Sequence, residues 1–150
     1  IDYNFAVIRP PGRKELRLLS RVDANISVLK LFPGIQDATI HSILTTPGLK
    51  AVVMETYGSG NAPTSPGLLG NLKEAIDAGI LVLNISQCPG GRVMQGRYET
   101  SRELQRIGVI GGNDMTTEAA LTKLMVLLGE FGSERTRNLI AEPLAGELTT

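Results

Sequence analysis

Residues 51–61 read AVVMETYGSGN, from Ala51 to Asn61. Four apolar residues in a row, then a polar loop broken twice by glycine, describe a strand buried on both faces that ends abruptly at a rim. Gly58 and Gly60 contribute no side-chain packing and lose more backbone entropy on folding than any other residue. The loop is therefore either a tight turn or a place where another group approaches bare backbone. Ser59 and Asn61 add a hydroxyl and an amide, groups suited to reading a small polar molecule. No third glycine and no immediate helix follow, so the dinucleotide-binding fingerprint is not met. On residue types alone, a plain turn and a binding loop both stand.

On either side the same cycle repeats. Ile26 to Leu31 predicts a strand stopped by Pro33-Gly34, and Ile35, Ile40, Ile43 and Leu44 then recur at helical spacing until Thr46-Pro47-Gly48. Gly67 to Ala78 predicts a helix closed by Gly79, and Ile80 to Ile85 a near-continuous apolar strand broken by Ser86-Gln87-Cys88-Pro89-Gly90-Gly91. Ser101 to Ile107 predicts a helix, Val109-Ile110 a short strand, and Thr116 to Gly129 an amphipathic helix. Apolar strands alternating with helices predict an α/β fold, a small parallel sheet of about four strands flanked by helices. Residues 1–24 read as a connector with short extended pieces around Arg9-Pro10-Pro11-Gly12, residues 25–131 as the α/β domain, and residues 132–150, with Pro143, as a tail. Phe32-Pro33-Gly34, Gly58-Ser59-Gly60-Asn61 and Ser86-Gln87-Cys88 all follow strands, and ligands of open α/β sheets bind at that edge.

Composition narrows the partners. Apolar residues make up 42% of 150, enough for a packed core. Fifteen basic and fifteen acidic residues cancel, which gives no electrostatic reason to expect nucleic acid or an anionic membrane. No apolar run approaches the roughly 20 residues needed to span a bilayer, and IDYNFAVIRPPGRKE lacks the features of a secretory signal. The one cysteine cannot form an internal disulfide, so a reducing, cytoplasmic setting is expected. A chain that starts with Ile1 and not Met is expected to be cut from something longer.

Few residues offer chemistry. Cys88 would need a base to act as a nucleophile, and the only histidine, His41, falls on the first predicted helix. The thiol is therefore expected to be a small buried hydrophobe, and His41 a surface or half-buried helix residue. One His and one Cys argue against a catalytic zinc, and no metal site is expected. Asp114 and Glu118 precede an apolar helix and are expected to cap it and favour its dipole. Lys123 is expected to snorkel along that helix. No nucleophile, base and orienting acid come together, so the reactive group of any enzyme built on this chain lies elsewhere.

Four stretches carry a resemblance. Leu31-Phe32-Pro33-Gly34, Tyr57-Gly58-Ser59-Gly60-Asn61-Ala62-Pro63, Asn84-Ile85-Ser86-Gln87-Cys88 and Gly108-Val109-Ile110-Gly111-Gly112-Asn113-Asp114-Met115-Thr116-Thr117-Glu118-Ala119 resemble, in order, the smaller C-terminal domain of the bacterial cytoplasmic (type I) L-asparaginases. Leu121-Thr122-Lys123-Leu124 continues the last of them, and the likeness covers about residues 26–130. It implies a flavodoxin- or Rossmann-like C-terminal domain of a two-domain amidohydrolase that converts asparagine to aspartate and ammonia with no metal or cofactor.

In that family the nucleophilic threonine lies in a Thr-Gly-Gly-Thr stretch of the N-terminal domain, which also holds a second threonine, an aspartate and a lysine. None of those motifs occurs here, and Thr45-Thr46-Pro47-Gly48 has the wrong neighbours. The resemblance thus implies a C-terminal domain that is inactive alone. Its implied partners are L-asparagine, the N-terminal domain of the same protein, and a second subunit in a homodimer or homotetramer whose active sites it completes.

Ser59 and Asn61 match the family loop at that interface and are the substrate-binding candidates. Tyr98 matches a tyrosine proposed to reach the substrate threonine and is the catalytic candidate, although Ser101 stands where the family often has glycine. Glu55, Ser86 and Cys88 match a regulatory pocket in which an arginine at position 55 would hold an effector carboxylate. A glutamate there faces carboxylate with carboxylate, so weak or absent effector binding is expected. Gly91-Arg92-Val93, Thr100-Ser101-Arg102-Glu103-Leu104 and Lys123-Leu124-Met125 also resemble the asparaginase-like subunit of archaeal glutamyl-tRNA(Gln) amidotransferase, the alternative reading. A free-standing amino-acid-binding regulatory module is a further one.

Overall fold

Strict alternation along the buried strands sets the architecture. In a computed structural model, residues 18–96 and 99–149 are described. They form β1 (Ile26–Lys30), α1 (Asp37–Leu44), β2 (Ala51–Thr56), α2 (Pro66–Asp77), β3 (Leu81–Ser86), α3 (Glu99–Arg106), β4 (Ile110–Gly111) and α4 (Thr117–Leu139). The four strands make one sheet in the order β1-β2-β3-β4, and every pairing is parallel. The α/β fold and the four-stranded parallel sheet read from the sequence are present.

Val52, Met54 and Val82 point to one face and pack with Leu29, Leu31, Ile40, Leu44, Leu68, Leu72 and Leu104. Ala51, Val53, Leu81, Leu83 and Ile85 point to the other and pack with Met115, Ala120, Leu124, Leu127 and Leu128 of the α4 side. This is the period of two expected of strands. Each connection steps the same way across the sheet, so right-handed crossovers put α1, α2 and α3 on one face. α4 follows the last strand and covers the opposite face. Central β2 is buried along its whole length, which is why its first four residues read as an unbroken apolar run, and its polar end residues Glu55 and Thr56 are buried with them.

Local chemistry sets the helix ends. Ser65 Oγ accepts the Leu68 N–H at 3.3 Å and Pro66 opens α2. At α4 the cap is Thr116, whose Oγ1 accepts the Ala119 N–H at 3.2 Å. Asp114, expected as a cap, instead accepts the Thr149 N–H at 2.7 Å. Glu118 does lie in the first turn of α4.

Both ends of the described stretch lie against α4. Arg9 to Gly12 and Leu16 fall outside the described residues, but residues 20–23 run beside the helix. Ser20 N–H and Arg21 N–H donate to Glu130 Oε1 at 2.8 and 2.7 Å, and Asp23 N–H to the Met125 carbonyl at 2.9 Å. A Cβ at Gly129 would stand 2.5 Å from the Arg21 carbonyl oxygen, so only glycine admits this approach.

At the other end, α4 breaks at Gly132, with φ 72° and ψ 175°, and resumes to Leu139. Ile140 and Leu148 then enter the α4-side core. Lys123 does not snorkel. It is buried, its Nζ 2.6 Å from Glu147 Oε1 and 2.5 Å from the Glu142 carbonyl. The helix lysine thus pins residues 140–149 as a strap, because a buried ammonium needs an opposite charge and its hydrogen bonds filled.

Burial works to raise the Glu147 carboxyl, but Lys123 and the N–H groups of Leu144 and Ala145 outweigh it and lower its pKa from 4.5 to about 2. A depressed carboxylate stabilises the fold above its unfolded pKa and loses that contribution as pH falls through the folded one. Stability is therefore expected to drop between pH 4.5 and 2, by about 3 kcal/mol at most from this group. Glu147→Gln should flatten that part of an acid-titration curve followed by circular dichroism. Lys123→Met should cost about 3 kcal/mol at neutral pH in urea denaturation.

Candidate functional site

The strand ends β1, β2 and β3 carry their loops to one rim, as a parallel sheet requires. At its centre is Asn84, a lone amide in the apolar run of β3 and 1% exposed. Its Oδ1 accepts the Thr56 hydroxyl at 2.6 Å, its Nδ2 donates to the Gly60 carbonyl at 3.2 Å, and its own carbonyl accepts the Gly112 N–H at 2.7 Å. The side chain thereby joins β2 to the glycine loop, and the backbone of the same residue holds the turn after β4.

The glycine loop is held from several sides. Tyr57 and Asn61 pair across it, with N–H to carbonyl distances of 2.9 Å in both directions. Gly60 has φ 97°, and a Cβ there would lie 2.7 Å from Val93 Cγ1. Both its conformation and its neighbour exclude other residues. Ser86 Oγ donates to the Gly58 carbonyl at 2.6 Å and accepts the Cys88 N–H at 3.1 Å. Asn61 Oδ1 accepts the Thr100 hydroxyl at 2.9 Å, and Asn61 Nδ2 lies 3.4 Å from Ser59 Oγ. Ser59 and Asn61 therefore sit together on the rim. Tyr98 lies outside the described residues.

Glu55, Ser86 and Cys88 also come together, in a cleft of about 220 Å³ that is closed by Lys30 and residues 114–118. Glu55 ends β2 beside Lys30 of β1, and the two ions meet at 3.1 Å. Thr117 Oγ1 donates to the other Glu55 oxygen at 2.5 Å. Burial acts to raise the Glu55 carboxyl, but Thr117 and Lys30 prevail and hold it below the usual range. It is an ionised group already paired. Burial acts likewise on Asp114, and bonds from Thr149 with the charge of Arg92 hold it low.

Cys88 is exposed, contrary to the buried role expected of it, because the Pro89-Gly90-Gly91 turn carries it out past the strand tip. His41 is exposed on α1 and its Nδ1 lies 3.0 Å from Asn71 Oδ1 of α2, while Cys88 lines the rim cleft. No group of three or more His, Cys, Asp or Glu side chains among the described residues could hold a metal ion. No helix among them is long and apolar enough to cross a membrane.

The residues missed in the sequence differ in legibility. Asn84 was visible as the one polar side chain inside Ile80–Ile85, and a buried amide demands partners. Lys30 and Glu55 end neighbouring strands with opposite charges, and parallel register brings them level. Thr100 and Thr117 reach the site across 39 and 62 residues of sequence and leave no spacing signal.

Asn84→Ala should strip the Thr56 hydroxyl and the Gly60 carbonyl of a buried partner. It is expected to lower the unfolding free energy by about 3 kcal/mol in urea, against about 1 kcal/mol for Thr56→Val.

The chain is similar to known proteins. A family described as the glutaminase/asparaginase C-terminal domain matches residues 25–138. The chain is 43% identical over 141 residues to L-asparaginase 1 of Escherichia coli, spanning 93% of this chain and 41% of that protein. It is 40% identical over 152 residues to the human 60 kDa lysophospholipase, spanning 99% and 26%. The crystal structure of L-asparaginase I from Vibrio cholerae matches with a TM-score of 0.86 and 39% identity over 92% of this chain and 42% of that one. The chain thus spans less than half the length of each of these relatives.

Proposed function

The chain belongs to the glutaminase/asparaginase C-terminal domain family, and from that premise we propose that it is the C-terminal half of an amidohydrolase that converts L-asparagine to aspartate and ammonia. Residues 25–131 form the domain, residues 1–24 connect it to an N-terminal domain of the same protein, and residues 132–150 are its tail, of which 140–149 strap back onto α4. The carrying observation is a fixed polar rim, Gly58-Ser59-Gly60-Asn61, at the strand ends of a chain whose relatives are more than twice as long.

In this reading the nucleophilic threonine belongs to the N-terminal domain. The present chain supplies Ser59, Asn61 and Tyr98 to an active site shared between subunits of a homodimer or homotetramer. The fold supports that role: every loop carbonyl is bonded internally, so the rim keeps its shape without a ligand. A cytoplasmic setting suits the exposed free thiol of Cys88. The tRNA-linked amidotransferase subunit is the less supported reading, since equal numbers of acidic and basic residues give no general attraction for tRNA.

Purified alone, the 150-residue chain should release no ammonia from asparagine, whereas the two-domain protein should. Steady release by the isolated chain that disappears on a point substitution within it would overturn the reading.

The Glu55 cleft is the second part of the proposal. The sequence expectation set a bare carboxylate against an effector carboxylate. The Lys30–Glu55 pair now gives a floor with no net charge in place of a free cation, which supports weak effector binding for a different electrostatic reason. Asparagine dependence of the two-domain protein should be hyperbolic, with a Hill coefficient near 1 in initial-rate assays. A sigmoidal curve abolished by Ser86→Ala would sink this part.

A further inference from the structure

We propose that the C-terminal strap takes part in the reaction by setting the position of the rim, and that Asn113 is the positioning residue through which it does so. This rests on the reading of residues 58–61 as part of a shared active site.

Strap and rim meet at the turn between β4 and α4. Among the described residues, Asn113 is the one residue other than glycine with a positive φ, 59°. Asparagine adopts that conformation more readily than most L residues. The Asn113 carbonyl accepts the Val93 N–H at 2.8 Å, and its Oδ1 accepts the Arg92 Nε–H at 2.5 Å. Its Nδ2 donates to the Thr149 carbonyl. Arg92 brings a donor and the Thr149 carbonyl an acceptor, so the amide has one orientation. Turned over, it would set donor against donor and acceptor against acceptor. The Thr149 N–H goes to Asp114 Oδ1 at 2.7 Å. Both backbone groups of this strap residue are thus held by side chains of the turn.

Residues 92–94 carry that hold to the rim. Val93 is buried, and its Cγ1 stands 2.7 Å from where a Cβ on Gly60 would lie. Met94 N–H donates to the Ser59 carbonyl at 2.9 Å. The segment therefore lies between the turn and the glycine loop and touches each through one N–H, Val93 toward Asn113 and Met94 toward Ser59. Residues 92–94 belong to no helix or strand. Their place is set by these ties and by Gln95, whose Nε2 donates to the Val109 carbonyl at 2.6 Å.

The strap is secured two residues upstream of Thr149 by Glu147 on Lys123. A group fixed on the α4 face of the sheet is thereby joined to the rim through Thr149, Asn113, Arg92-Val93 and Met94. Asn113 touches no ligand in this scheme and acts through the 92–94 segment alone.

The test uses the two-domain protein at a temperature where circular dichroism shows every variant folded. Amide hydrogen exchange is followed at Val93 and Met94, beside steady-state kinetics with L-asparagine. Asn113→Gly keeps the left-handed turn and removes both side-chain bonds. It should speed exchange of the two amides about ten-fold and raise KM about five-fold with kcat within two-fold. Thr149→Pro, which removes the N–H that Asp114 accepts, should raise KM about three-fold. The double variant should have a KM no higher than that of Asn113→Gly alone, because the strap acts through Asn113. Asn61→Ala tests the underlying reading, and an unchanged KM there would overturn the shared site and this proposal with it. A raised KM in Asn61→Ala beside an unchanged KM in Asn113→Gly would leave the shared site standing and overturn the proposal, whether or not exchange is faster. An unchanged KM in Thr149→Pro, or effects that multiply in the double variant, would overturn the route from the strap through Asn113. A fall in kcat at constant KM in Asn113→Gly would overturn the positioning role as well.

Discussion

A sheet covered on both faces has no solvent to hydrogen-bond the polar groups where its strands stop, and the rest of this structure follows from how those groups are satisfied. Asn84 does most of that work. Placed in a strand otherwise made of Leu, Val and Ile, its amide costs desolvation unless each face of it is matched. Thr56 and Gly60 supply the match from two different segments, and the backbone carbonyl of Asn84 takes the Gly112 N–H from a third. The requirement that protects the core also gives the glycine loop a single geometry. A rim rigid for reasons of folding is available for recognition with little further ordering.

The fold was largely legible, and for a physical reason. Burial on both faces makes a strand read as a near-continuous apolar run, and Ala51–Met54 of β2 and β3 on either side of Asn84 carry that signal. The helices were equally visible where an apolar stripe met a cap or a Pro-Gly stop. Position on the rim was readable too, since Glu55 and Ser86 lie at strand ends and Ser59, Asn61 and Cys88 just after them. Side-chain state was not. Lys123 looked like a surface lysine because its counter-ion, Glu147, lies 24 positions away, in a stretch with no periodic pattern. Cys88 looked like a core residue because cysteine commonly is one, whereas the turn after it sets its exposure. Asp114 looked like a cap, and the strap claims it instead.

Charge is used sparingly and always in pairs at the places that matter. Lys30 pairs with Glu55 at the rim, and Lys123 with Glu147 of the strap. Both glutamates are held in the ionised state by specific donors against the pull of burial. The Lys123 pair holds the strap against α4, and Glu55, with Thr117, ties the end of β2 to the start of α4. That is a geometric role beside the energetic one, since breaking the buried Lys123–Glu147 pair leaves an uncompensated charge.

The interruption of α4 at Gly132 has a consequence for how the domain breathes. A continuous helix of 23 residues would open from its end by fraying one turn at a time. Here the amide ladder is cut, so the second run, together with the strap that Lys123 secures, forms its own cooperative unit of local unfolding. Hydrogen exchange would register it as a block of amides released together, ahead of Leu124, Leu127 and Leu128, which stay locked against the sheet until the whole domain opens.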